Sequence, residues 1–193
     1  MRHDMTVGEL IDELSRYLQR ENTTMNDIAS ASDKGRRTIY TYFKSKREIF
    51  NAVIQSETDQ LLHRLSAIVA ATGSTPEEKL RAFILCRFET LKEIVTRNGS
   101  LRAGFFRDVR KVDRARKRIS ETEVSLLKDV LREGVRTGDF EINDLDRMSI
   151  IIVNAANGLD VPYIRGIFQE EGIDKIMLAN YTCDLIINGI KKR

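Results

Sequence analysis

Apolar residues recur at spacings of three, four and seven along most of the chain, the mark of helices with one buried face. The longest such run follows Ser45-Lys46-Arg47-Glu48, a capping-box pattern, and carries Ile49, Phe50, Val53, Ile54, Leu61, Leu65 and Ile68. It predicts one helix from about Lys46 to about Ala71, which at roughly 1.5 Å per residue spans close to 40 Å. Upstream, Leu10, Ile11, Leu14, Tyr17 and Leu18 share a face behind a second capping-box pattern, Thr6 with Glu9. Between these runs lie two narrower strips, Ile28, Ala29 and Ala31, then Ile39 and Phe43, separated by the turn-forming residues Ser32-Asp33-Lys34-Gly35. Two short helices joined by a tight turn, covered by the helix at residues 6 to 21, make a three-helix head.

Thr72-Gly73-Ser74-Thr75 interrupts the pattern, and Thr75-Pro76-Glu77-Glu78 restarts it with a cap, a first-turn proline and two acids. Leu80, Phe83, Ile84, Phe88, Leu91 and Val95 predict a helix to about Asn98-Gly99, and Leu101, Phe105 and Phe106 a short one after it. A further helix leads from Arg107 through Val124, Leu127, Val130, Leu131 and Val135 to the break at Gly138-Asp139. The last two helices run from Leu145 to about Ile164 and from Ile173 to Ile190. The first of them is apolar nearly all round (Met148, Ile150, Ile151, Ile152, Val153, Ala155, Ala156, Leu159), so burial on every side is expected, with one face on the monomer core and the other on a second subunit. Ile176, Met177, Cys183, Ile186, Ile187 and Ile190 of the final helix supply the other half of a four-helix interface across a two-fold axis.

Charge adds what periodicity does not. Lys34, Arg36, Arg37, Lys44, Lys46 and Arg47 fall in a stretch without an acid, a local charge of +6 in a chain whose total is +3. Residues 107–118 hold seven bases against Asp108 and Asp113, and read as a solvated helix face with pairs such as Arg118 and Glu121. On the short helix after the turn, Ile39 and Phe43 point inward, leaving Arg36, Arg37, Tyr40 and Thr41 on open faces. Arginine can take guanine O6 and N7 with two hydrogen bonds, and threonine can meet a thymine methyl, so Arg36, Arg37 and Thr41 are the candidate base readers. Thr38, Tyr40, Tyr42, Lys44 and Lys46 are candidates for positioning on phosphates, and Thr24 and Lys34 complete the candidate DNA-binding set.

The segment resembles the signature of the TetR (tetracycline-repressor-like) family of bacterial transcription regulators. The resemblance rests on Ile28-Ala29, on Thr38-Ile39-Tyr40-Thr41-Tyr42-Phe43-Lys44-Ser45-Lys46 and on the apolar helix that follows, and covers roughly the first quarter of the chain. It implies that the second helix of the motif enters the major groove, and that Thr38, Tyr40, Tyr42 and Lys46 hold backbone phosphates. Ser32-Asp33-Lys34-Gly35-Arg36-Arg37 departs from the family's usual Ala-Gly-Val-Ser-Lys-Gly, with Arg37 where a glycine often permits close approach to the groove.

The fold expected is all-α: an N-terminal three-helix helix-turn-helix DNA-binding domain, residues 1–50, followed by a helical ligand-binding and dimerisation domain, residues 51–193. The function expected is a sequence-specific, dimeric transcriptional repressor released from a palindromic operator by a small-molecule effector. Its alternative is a DNA-bound scaffold regulated by a protein partner. Candidate linings of an effector pocket are Phe83, Phe105, Phe106, Asn154, Asn157 and Tyr163. The partners expected are thus double-stranded DNA, a second copy of the chain through the last two helices, and the effector.

Other classes find no support in the sequence. His3 and His63 are far apart, and no GxGxxG, P-loop, GxSxG or HExxH pattern occurs, so no enzyme, metal site or cofactor is expected. No segment approaches the roughly 20 consecutive apolar residues of a membrane span. Asp4 and Glu9 lie where a signal peptide would be basic and then apolar, which predicts a cytoplasmic protein. Cys86 and Cys183 are isolated and are expected to be buried thiols.

Overall fold

The computed structural model describes residues 24–31, 36–97 and 109–192, and these form eight helices. They are α1 (Met25–Ala31), α2 (Arg36–Tyr42), α3 (Lys46–Ala70), α4 (Pro76–Arg97), α5 (Val109–Thr137), α6 (Leu145–Arg165), α7 (Ile167–Glu170) and α8 (Lys175–Ile190). The fold is all-α as expected; among the described residues the only β feature is an isolated antiparallel bridge between Phe140 and Lys191. No described helix is long and apolar enough to cross a membrane. The helices expected at residues 6–21 and around Leu101 to Phe106 lie outside the described residues. The single-turn α7 was not anticipated from the apolar pattern, and it follows Gly166, which ends α6 with a left-handed φ of 81°.

The chain divides into two compact units, one drawn from residues 1–60 and 94–113, the other from residues 61–93 and 114–193. In the first, α1 opens with a reciprocal cap. Thr24 Oγ1 accepts the Asp27 N–H at 3.2 Å, while Asp27 Oδ2 accepts the Thr24 N–H at 2.8 Å. At the start of α3 the expected box forms with a shift: Ser45 Oγ accepts the Glu48 N–H, and Glu48 reaches back to the N–H of Lys44 at 2.7 Å. Ile28, Ile39 and Ile49 are fully buried, with Val53 and Phe43 nearly so. Each such side chain contributes roughly 1.5–3 kcal/mol when covered, which is what makes helices of seven residues hold their shape.

The second unit has its own core, in which Leu80, Phe83, Ile84 and Phe88 of α4 meet Leu127, Val130 and Leu131 of α5, Ile152, Val153 and Ala156 of α6, and Leu178, Cys183 and Ile187 of α8. Thr75 and Glu78 cap α4 reciprocally, and Asp144 and Asp174 cap α6 and α8 through the backbone N–H groups of Arg147 and Met177. Gly138, at a φ of 83°, turns the chain out of α5. Phe140 then folds back so closely that a Cβ on Gly134 would lie 2.1 Å from its ring. The Glu141 N–H donates to Ile190 O at 2.7 Å and the Lys192 N–H to Asp139 O at 3.2 Å, clipping the residues after α8 to this corner.

Helix α6 divides its apolar residues as expected for one chain, with Ile152, Val153 and Ala156 facing the core while Ile150 and Ile151 stand 49% and 60% exposed. Two other expectations need correction. On α8, Cys183, Ile187 and Ile190 belong to the unit's own core, and the outward apolar residues are Ile176, Met177, Tyr181 and Leu185. Helical spacing identifies apolar faces but does not say which of two faces the monomer uses. Finally, only Cys183 is a buried thiol, pushed up to about 11 mainly by burial; Cys86 is half-buried.

Candidate nucleic-acid interface

Helix α2 presents one face inward through Ile39, followed by Phe43 just past its end, and this leaves Arg37, Thr38, Tyr40 and Thr41 exposed. Tyr42 is 52% exposed, its ring 6.5 Å from that of Phe43. The exposed groups are not equally free. Thr41 Oγ1 donates to Arg37 O at 2.8 Å, so its methyl is the group left for a base edge. The Tyr40 hydroxyl donates to Asn26 Oδ1 at 2.8 Å, tying α2 to α1 while keeping lone pairs open. Lys44 Nζ donates to Tyr40 O at 2.9 Å, placing a cation on the carbonyl end of α2, with two more protons to offer. Lys46 is half-buried at the start of α3. Thr24 is exposed but engaged in the α1 cap. Lys34 and the side chain of Arg36 lie outside the described residues.

Sequence reasoning missed Asn26, which fixes Tyr40 from fourteen residues away. It also missed the Thr24 and Asp27 box, whose Thr-x-x-Asp spacing was there to be read.

The candidate effector residues in the second unit divide sharply. Phe83 is fully buried in the core, and Asn154 is exposed with its amide donating to Ile150 O of its own helix. Phe105 and Phe106 lie outside the described residues. Asn157 joins a polar cluster that the sequence did not reveal. Arg87 Nε donates to Glu123 Oε1 at 2.7 Å, Arg87 Nη2 donates to Asp160 Oδ2 at 3.1 Å and to Asn157 Oδ1, and the Asn157 amide donates to Ser120 Oγ at 2.9 Å. Burial alone would lower Arg87, but Glu123 and Asp160 outweigh it and hold the guanidinium above its ordinary value. Burial pushes the Glu123 carboxyl up, against the pull of Arg87. Tyr163 is buried against Phe88, ring centroids 5.5 Å apart, and burial followed by the nearby Glu89 raises its phenol.

No group of three or more His, Cys, Asp or Glu arranged to hold a metal ion occurs among the described residues.

Comparison with known proteins adds three kinds of likeness. Residues 21–53 match the family profile described as bacterial regulatory proteins, tetR family. The chain is 21% identical over 173 residues to the HTH-type transcriptional regulator QacR of Staphylococcus aureus (strain Mu50 / ATCC 700699), covering 88% of each protein. It is 29% identical over 129 residues to the HTH-type transcriptional repressor KstR2 of Mycolicibacterium smegmatis (strain ATCC 700084 / mc(2)155), covering 64% of this chain and 60% of the relative. Among solved structures, a SmeT–triclosan complex superposes with a TM-score of 0.72 at 16% identity, over 95% of this chain and 90% of that one.

Proposed function

We propose that the chain, whose residues 21–53 match the tetR-family profile and whose fold is like that of SmeT, is a sequence-specific, dimeric repressor whose operator binding is relieved by a small-molecule effector. The observation that carries this reading is the exposed Arg37, Thr38 and Thr41 on a helix that buries Ile39. The functional boundary falls near residue 50, with DNA read by residues before it and the effector and second subunit met after it. Arg36, Arg37 and Thr41 read base edges, while Thr38, Tyr40, Tyr42, Lys44 and Lys46 locate the backbone.

Pairing of two chains is supported by the outward apolar residues Ile150 and Ile151 on α6 and Ile176 and Leu185 on α8, which water would otherwise cover. Two heads about 34–36 Å apart, or a multiple of that, suit a palindrome. The effector reading is supported by the triclosan complex of SmeT and by the buried polar cluster of the second unit. An effector relieves repression only if it favours the arrangement that does not bind DNA.

Selection of bound fragments from random duplexes tests the reading. The expected result is a symmetric site of two half-sites; a short asymmetric site, or no enrichment, would overturn the dimeric part or the whole.

A further inference from the structure

Among the described residues of the second unit, two hydrogen-bond donors are buried and have no acceptor. Arg87 Nη1 and the Tyr163 hydroxyl are each without a partner, although Arg87 is only 8% exposed and Tyr163 6%. Folded proteins seldom leave such groups unmade, and an arginine proton cannot be given up to escape the cost.

The rest of Arg87 is held in place. Its Nε and Nη2 are committed to Glu123, Asp160 and Asn157, and Asn157 is itself anchored on Ser120. Turning the guanidinium to engage Nη1 would therefore break bonds already formed. Tyr163 follows Asp160 by three residues on α6 and so shares its helix face. The Tyr163 ring lies against Phe88, the residue after Arg87 on α4. Both unused donors thus arise from neighbouring turns of one seam between α4 and α6.

We propose that this seam is the recognition end of the effector site, and that it takes an uncharged molecule offering carbonyl oxygen, a ketone or ester on an apolar body. The inference rests on the second unit being an effector domain, and adds to that reading the role of Arg87 and the chemical class of the ligand. The count of charges excludes the alternatives. One guanidinium already faces two carboxylates, so a ligand carboxylate would add a further negative charge to a buried cluster. An ammonium would bring more donors to a place where donors stand idle. A carbonyl oxygen has two lone pairs and no charge, which suits one N–H and one O–H. Burial and Glu89 keep the Tyr163 phenol protonated, hence a donor. Phe88, packed on Tyr163, gives the apolar body a flat partner.

The test uses the full chain and matched probes: cyclohexanone and the larger 1-tetralone, with cyclohexanecarboxylate and cyclohexylammonium as charged controls. Binding is followed by ligand-observed NMR titration and thermal shift in the wild type and in Tyr163→Phe. That variant loses only a buried hydroxyl without a partner, so its Tm without ligand does not fall below the wild-type value. The expected result is saturable binding of a ketone by the wild type, weakened roughly tenfold in Tyr163→Phe, as for loss of one buried hydrogen bond, with both charged probes binding more weakly than the ketones. Absence of saturable binding by either ketone, equal affinity in the two proteins, or preference for a charged probe would each overturn the proposal. Duplex binding is measured in the same samples. Intact duplex binding without ketone binding removes the site and leaves the regulator. Tyr163-dependent ketone binding that leaves duplex affinity unchanged keeps the site and removes the effector role.

Discussion

Arginine serves opposite ends in the two units. Arg37 stands exposed on a short helix, open to whatever approaches, whereas Arg87 is 8% exposed and shared between two carboxylates and an amide. An exposed cation gives little to folding, since water solvates it equally well in the unfolded chain. A buried one is tied to the fold through what its removal would leave behind. On the proposed function, the contrast separates residues that set affinity from residues that set stability.

The largest effect should come from Arg87→Met, which strands Glu123 and takes from Asp160 the guanidinium it accepts from. Urea unfolding should show a loss of roughly 3–5 kcal/mol; a loss under about 1 kcal/mol would mean that the cluster is as well solvated as a surface pair. Arg37→Ala should leave the unfolding midpoint where it was and cost roughly 1–3 kcal/mol of operator binding, with base preference relaxed at one place in each half-site. Equal losses on operator and random duplexes would move Arg37 from reading bases to holding phosphates.

The smallest effect concerns pH. Burial, only partly offset by Arg87, holds the Glu123 carboxyl above its ordinary 4.5, so the folded protein keeps this proton more tightly than the unfolded chain does. The stability it confers is complete below the unfolded value and declines as pH rises through the folded one. In Glu123→Gln that decline is absent, and stability curves of the two proteins at stepped pH should draw apart across this window in that direction. Divergence in the opposite direction would show that the charge of Arg87 prevails over burial.

What could be read from the sequence follows the same division. The head announces itself through local signals, a Ser45 to Glu48 box and a four-residue spacing from Ile39 to Phe43, each contained within a turn or two of helix. The bounds of α3, α4, α6 and α8 were likewise near those expected, because caps and breakers act on their immediate neighbours. The buried cluster is different. Arg87 meets Glu123 across 36 positions and Asp160 across 73, and each of the three alone resembles an ordinary solvated residue of a charged helix. Which face of α6 or α8 turns inward was also hidden, since both faces are apolar and only the packing of the other helices selects between them.

The corner after α5 offers a handle of another sort. Any side chain at Gly134 collides with the Phe140 ring, and that ring is seated in the core of the second unit. A Gly134→Ala variant is thereby a rational starting point for a heat-sensitive allele: a wedge that the chain tolerates in the cold and rejects when warm, allowing the protein to be withdrawn from a living cell by a temperature step with its recognition residues unaltered.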